Sequence, residues 1–290
     1  MSVIPDPSRE APTKEALYDK EEARRARARQ TEAVARWLIP LAVVILTVAL
    51  WDFVVKYNEI PHYLLPGPGR VWDQLIADRG MLGQSLLVTL RITVMALGVA
   101  VIGGVLLAIL FNQSRFAELV FYPYAVILQV TPIVSIAPLI FIYVKEPTAR
   151  VLICAWIVAF FPILSNTTLG LKSTDHNLRD LFSIYGATRW QRLIRLQLPS
   201  ALPYFLGGLR IAGGLALIGA IVAEYVVGTG GAGSGLAFRI LEASYRLNIP
   251  RMFAALALIG AVGVVIFALT AILSHLLLRK WHESAIVRDG

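Results

Sequence analysis

The chain has 290 residues, of which 57% are hydrophobic and only 16% charged, with a formal net charge of +8. Soluble domains are rarely so apolar, and several runs approach the roughly 20 apolar residues that cross a bilayer, so the fold class is an all-α integral membrane protein; no short segments of alternating polarity mark an outer-membrane barrel. The single Cys154 excludes an intrachain disulfide and a cysteine metal site, the four histidines fit no metal-ligand spacing, and the basic surplus reads as membrane topology rather than nucleic-acid binding.

Residues 1–36 form a polar tail. Its first dozen residues read as disordered, and the remainder, from Lys14, is rich in the helix formers Ala, Glu and Arg. Glu22 with Arg25, and Glu32 with Arg36, stand at helical pairing distance. The cluster Arg24, Arg25, Arg27 and Arg29 reads as a solvated face that fixes topology, with contact to anionic headgroups as the alternative. The stretch is too long and too polar for a cleavable signal peptide.

Six spans follow, at about 37–55, 85–111, 119–144, 151–171, 206–227 and 253–278, with Pro132 and Pro138 expected to break the third. Between the first two, Leu65-Pro66-Gly67-Pro68-Gly69 signals a turn, and Val71, Leu75 and Ile76 suggest a short surface helix. With the N-terminus inside, the inner segments hold 17 Lys and Arg and the outer segments 8. The bias places both termini, and the long loop between spans four and five, in the cytoplasm. The organisation is then a basic tail at 1–36, one membrane domain at 37–278 with a cytoplasmic loop at 172–205, and a short tail at 279–290.

Polar residues within spans are candidates for a pathway. Gln129, Thr131 and Ser135 flank the prolines of span three, and Asn166 and Thr167 lie in span four; the alternative for each is hydrogen bonding within the helix packing. Glu224 is the sharpest ionisable residue, and its cost in lipid turns it toward protein or a water-filled cavity, with a snorkelling position at headgroup depth as the alternative. Arg91 and Arg210 are placed near the inner ends of spans two and five, as anion attractors or snorkelling cations. Gly208, Ala212, Ala216 and Ala220 recur every four positions, a small-residue stripe for close helix approach either between subunits or within one chain.

The loop at 172–205 is longer than a tight connection needs. Leu178, Leu181, Phe182 and Tyr185 recur at i, i+3, i+4 and i+7, which describes an amphipathic helix. Gly186 interrupts it, permitting a sharp turn or close approach of another backbone. Thr188 stands where it would cap a second helix holding Trp190, Leu193, Ile194 and Leu196, which Pro199 and Pro203 are expected to bound. The outcome is two short helices about a glycine elbow, bearing apolar anchors with Arg189, Arg192 and Arg195: a docking knob for a soluble partner, or a basic loop that merely obeys the charge rule.

The spacing within this loop carries a resemblance. Asp180 is followed six positions on by Gly186, and ten positions later by Leu196-Gln197-Leu198-Pro199. This resembles the E-A-A-x3-G-x9-I-x-L-P loop of ABC-importer permeases of the type I fold, with Asp180 for glutamate and Leu181-Phe182 for the alanines. Phe160-Phe161-Pro162-Ile163, Asn166-Thr167, Gly208-Leu209-Arg210-Ile211-Ala212 and Ala223-Glu224 look like the nitrate, sulfonate and taurine branch. The chain departs from that branch at Ile142-Tyr143-Val144-Lys145-Glu146-Pro147, where many relatives carry Trp-Phe-Gly.

The resemblance implies a coupling surface at Asp180, Tyr185, Gly186, Ala187, Thr188, Arg189, Trp190, Leu196, Leu198 and Pro199. It implies ABC ATPase partners that carry ATP and Mg, a second permease chain that is expected to be a copy of this one, a periplasmic or lipid-anchored solute-binding protein, and residence in a bacterial inner membrane. It implies no cofactor and no catalysis on this chain. The sequence lacks a phosphate-cradling G-x-x-x-x-G-K-[ST], the glycine-rich 228–235 reading instead as an extracellular turn, and shows no convergent catalytic groups. The solute expected is a nitrate-, sulfonate- or bicarbonate-like anion or a small heterocyclic vitamin precursor. An autonomous channel or secondary carrier is the alternative.

Overall fold

The computed structural model describes residues 38–227 and 233–278, every described regular element being helical. The tail at 1–36, residues 228–232 of the glycine-rich turn and the tail at 279–290 lie outside the described residues. The chain divides into two compact units, Met1–Pro61 and His62–Gly290. The first holds α1, Leu38–Tyr57, an apolar helix of 20 residues. Its last turn carries an Asp52–Lys56 ion pair at 2.6 Å.

In the second unit, α2 (Pro68–Ala77) opens with proline at its first position, where the missing N–H costs nothing. It packs Val71 and Leu75 against Leu82, Leu236, Ala254 and Ala255, so it belongs to the helical body. The next helix, α3 (Arg79–Gln113), has 35 residues and begins six earlier than the sequence suggests. Ser114 ends it and caps α4 (Arg115–Val130) by accepting from the Ala117 N–H at 3.2 Å.

Helix α5 (Ile133–Tyr143) leaves α4 at 104°. The break lies at Thr131-Pro132, where the residue before proline is driven to extended backbone, φ −76° and ψ 123°. Pro138 was expected to break the span as well. It does not: it sits inside α5, where it removes one backbone bond while the helix continues to Tyr143.

Helix α6 (Pro147–Lys172) is capped by the Glu146 carboxylate, which accepts from the Ala149 N–H. After it come α7 (His176–Ile184), α8 (Arg189–Arg192), a π turn at Leu193–Gln197, and α9 (Leu198–Val227). The last three run on as one helix of 38 residues, Arg189–Val226. Pro199 and Pro203 therefore do not bound the second loop helix, as the sequence suggests; they ride within it. The π turn provides the reason. Leu198 N–H reaches back five residues to Leu193 O, and the widened turn accommodates Pro199, which has no N–H to give to Arg195 O.

The chain closes with α10 (Leu236–Tyr245), which sequence reasoning missed, and α11 (Ile249–Leu278). Among the described residues five helices are long and apolar enough to cross a membrane, or six if the bent α4–α5 pair is one span.

Helix α9 packs along α6, and α3 closes over both. Their shared core holds Ala100, Ala108, Phe111, Ala159, Ile163, Leu164, Leu206 and Ala212. The stripe of Gly208, Ala212, Ala216 and Ala220 is buried inside the chain; a side chain on Gly208 would stand 2.8 Å from Pro162 O of α6. The stripe thus serves packing within one subunit. In lipid, where apolar side chains gain nothing by leaving the solvent, such close approach is a main source of helix association.

Candidate coupling surface

The elbow between α6 and α9 is built as a rigid unit. Asp175 caps α7 by accepting from the Asn177 N–H at 2.7 Å. Arg179 reaches back and donates to Leu171 O at 3.0 Å and to Lys172 O, which ties α7 to the open end of α6. At the other end of α7, Gly186 N–H donates to Ser183 O at 3.0 Å and Ala187 N–H to Phe182 O at 2.9 Å. This paired closure places Gly186 in the left-handed region at φ +67°. A Cβ there would meet nothing within 4 Å, so the glycine serves the turn and not a close approach within the chain.

Thr188 then starts α8 with a reciprocal cap: its Oγ1 accepts from Gln191 N–H at 3.2 Å, while Gln191 Oε1 accepts from Thr188 N–H at 2.8 Å. Leu193 and Leu196 are buried and root the elbow. Gln197 accepts from Asn112 of α3 at 2.8 Å, tying the root to a second helix.

Two populations of side chains result. Asp180, Tyr185, Thr188, Arg189 and Trp190 face outward with Leu178, Leu181, Ile184 and Ile194; Tyr185 is 82% exposed, Ile184 81% and Trp190 63%. So large an apolar rim on a capped, anchored element marks a surface built to be covered. Ala187 and the half-buried Phe182 line a cleft of about 340 Å³ with Leu181, Tyr185, Gln191 and Arg195. Leu196, Leu198 and Pro199 instead turn toward the protein and belong to the root. Sequence reasoning missed Ile184 and Gln191 as surface or cleft residues. Ile184 was legible, since it follows Leu181 by three positions on the same helical face.

The pathway candidates do not form one cluster of like exposure. Gln129 and Ser135 are exposed at the α4–α5 bend, and Thr131 Oγ1 is occupied by Ile127 O at 2.6 Å. Asn166 bonds within its own helix, to Pro162 O at 2.9 Å. Thr167 is buried with its hydroxyl unpartnered. Glu224, near the far end of α9, is buried and accepts from Thr89 of α3 and from Ala237 N–H at the start of α10. A cavity of about 190 Å³ opens beside it, lined also by Arg91, Thr148 and Phe238. Arg91 therefore lies at the end of the bundle opposite the elbow, not at the elbow end where the sequence reading placed it, because α3 runs toward the elbow and Arg91 is in its first half.

Residues 100–281 match the family described as binding-protein-dependent transport system inner membrane component. The chain belongs to this family. A probable ABC transporter permease protein of Haemophilus influenzae is 32% identical over 80% of this chain and 93% of its own length. The formylaminopyrimidine transport permease protein of Halalkalibacterium halodurans is 32% identical over 85% of this chain and 96% of its own. Permease proteins named for aliphatic sulfonates in Bacillus subtilis and for nitrate in Synechocystis match at 26% and 27% identity over 86% and 73% of this chain, and 89% and 80% of their own.

This chain is thus an ABC-importer permease of the sulfonate and nitrate branch, a multi-pass membrane subunit and not an enzyme. Its fold is shared with a crystal structure of an amino acid ABC transporter with histidines, at a TM-score of 0.58 and 18% identity over 71% of this chain and 97% of the other.

Proposed function

We propose that this permease couples to a separate ATPase through the elbow at 180–199, and that ATP binding and hydrolysis there drive alternating access for a small solute. The observation that carries the reading is the apolar rim of Ile184, Tyr185 and Trp190 on an element capped at both turns and continuous with α9. Force applied to such an element passes into a membrane helix rather than dissipating in a loop. The ATPase carries ATP and Mg. A second copy of this chain completes the pathway, and a periplasmic or lipid-anchored binding protein delivers the solute. The complex sits in a bacterial inner membrane with both termini and the elbow in the cytoplasm, in keeping with the surplus of basic residues on that side.

The solute is a nitrate-, sulfonate- or bicarbonate-like anion or a small heterocycle such as a vitamin precursor; the relatives' names span both kinds. Gln129, Thr131, Ser135, Asn166, Thr167 and Glu224 remain the candidates for contact with the pathway or for gating it, Glu224 by holding α10 rather than by touching solute.

The test replaces Gly186 with valine in the tagged full chain. Membrane insertion should persist while co-purification of the ATPase and solute-driven ATP hydrolysis are lost. Full coupling in that variant removes the elbow from the mechanism. Uptake by the chain without any ATPase would favour an autonomous carrier.

A further inference from the structure

A second cavity lies on the other side of the elbow. It measures about 370 Å³ and is lined by Asn112, Gln113, Arg115, Arg179, Arg189, Arg192 and Gln197. Four guanidiniums converge there from three separate places: the start of α4, the middle of α7, and the first turn of α8. No carboxylate lines the cavity. Glu118, which lines an adjoining pocket with Arg115 and Arg179, is taken by Lys172.

The site is also fixed in place. Arg179 is held by the carbonyls of Leu171 and Lys172, and the Asn112–Gln197 bond at 2.8 Å joins its walls. The Nε atoms of Arg179 and Arg192 are buried with no hydrogen-bond partner. Cations brought together without a counter-charge, with donors left unmet, repel one another and raise the energy of the fold. An anion with several acceptor oxygens removes both costs, and the planar guanidinium fork matches phosphate oxygens in particular.

We propose that this cleft binds a phosphate-type oxyanion, which bridges the α3–α4 junction to the elbow. The groups that would meet it are Arg115 at the start of α4, Arg179 on α7, and Arg189 and Arg192 on α8. The phosphate arrives either on an anionic phospholipid headgroup or as a free soluble anion. The inference concerns binding by this chain and does not depend on the elbow docking an ATPase.

The full chain is purified in detergent, and retention of phosphatidylglycerol is followed by native mass spectrometry; pyrophosphate binding is measured separately by calorimetry. The variants are the double change Arg115→Gln with Arg192→Gln, and Arg70→Gln on α2 as a control for loss of charge elsewhere. Removing two charge-assisted contacts should weaken binding about tenfold or more, while the control binds as the parent does. Retention of the lipid with that dependence identifies a headgroup site; pyrophosphate binding with that dependence identifies a soluble anion. Parent chain that binds neither probe, or binding that the double variant leaves unchanged, overturns the proposal. So does a structure of the assembled transporter in which a carboxylate of the ATPase fills the cleft. Circular dichroism and gel filtration of the double variant confirm that a loss of binding is not a loss of fold.

Discussion

Thr89 donates its hydroxyl to the carboxyl group of Glu224, 135 residues further along the chain, at 2.8 Å from one oxygen and 3.1 Å from the other. The same Thr89 oxygen accepts from Leu236 N–H at 2.9 Å, and Ala237 N–H donates to Glu224 at 3.1 Å. One hydroxyl and one carboxyl thereby pin α3, α9 and the start of α10 together at the end opposite the elbow. Replacing Thr89 with valine keeps the shape but removes the hydroxyl, which leaves Leu236 N–H without its acceptor and Glu224 with Ala237 N–H alone. The expected cost is about 1–3 kcal/mol in unfolding, with Thr89→Ser close to the parent. Thermal unfolding in detergent reads the difference, and equal stability of the valine variant would show that the latch is idle.

Gly235 lies against this latch. A Cβ placed on it would stand 2.0 Å from a Glu224 oxygen, closer than any real contact allows. Gly235→Ala should therefore displace the carboxyl and destabilise the chain by about 1–3 kcal/mol. Gly98→Ala, in the open on α3 with nothing within 4 Å of its Cβ, should instead stabilise by about 0.5–1 kcal/mol. A scan of both variants side by side tests the sign as well as the size.

Asp78, between α2 and α3, accepts from Arg251 of α11 at 2.6 Å and 3.1 Å and from Gln74 at 2.6 Å. Burial pushes its carboxyl up, but the hydrogen bonds from Arg251 and Gln74, with the Arg251 charge, outweigh burial and hold it below its ordinary value of 3.8. A carboxyl that is more acidic in the folded chain stabilises the fold fully above the unfolded value, and that contribution is lost as pH falls through the depressed one. Asp78→Asn should lower stability at neutral pH and flatten the decline on the acid side. Unfolding midpoints measured from neutral pH down to below the ordinary aspartate range would show this; parallel curves for parent and variant would dismiss the pair as a contributor.

Trp190 is the largest exposed ring on the elbow, and large aromatics carry a disproportionate share of interface energy. Trp190→Ala should cost at least 2 kcal/mol of ATPase association, roughly thirtyfold in affinity, without altering the chain's own melting temperature. Unaltered affinity would move the contact to another part of the rim.

The elbow was the most legible part of the sequence, because everything that shapes it is local. The periodic Leu178, Leu181 and Tyr185, the glycine at the turn and the Thr188 cap all act within a few residues of themselves. The prolines misled for the same reason. Pro199 carries a breaking signal, and only a π turn that no local pattern announces lets the helix run through it. Helix α10 was missed because the glycine-rich run before it suggested a plain turn, although Leu236, Ile240 and Ala243 recur at helical spacing.

By itself the sequence determined the membrane class, the approximate spans and the two-helix form of the elbow, since hydropathy, periodicity and capping depend on neighbours in the chain. The tertiary structure alone decided that the small-residue stripe faces α6, that Glu224 is locked to Thr89, and that four arginines from distant segments share one cleft. These depend on which helix faces which. Contacts between residues 85 and 135 positions apart are set by packing of the whole bundle, which leaves no periodic trace in a single chain.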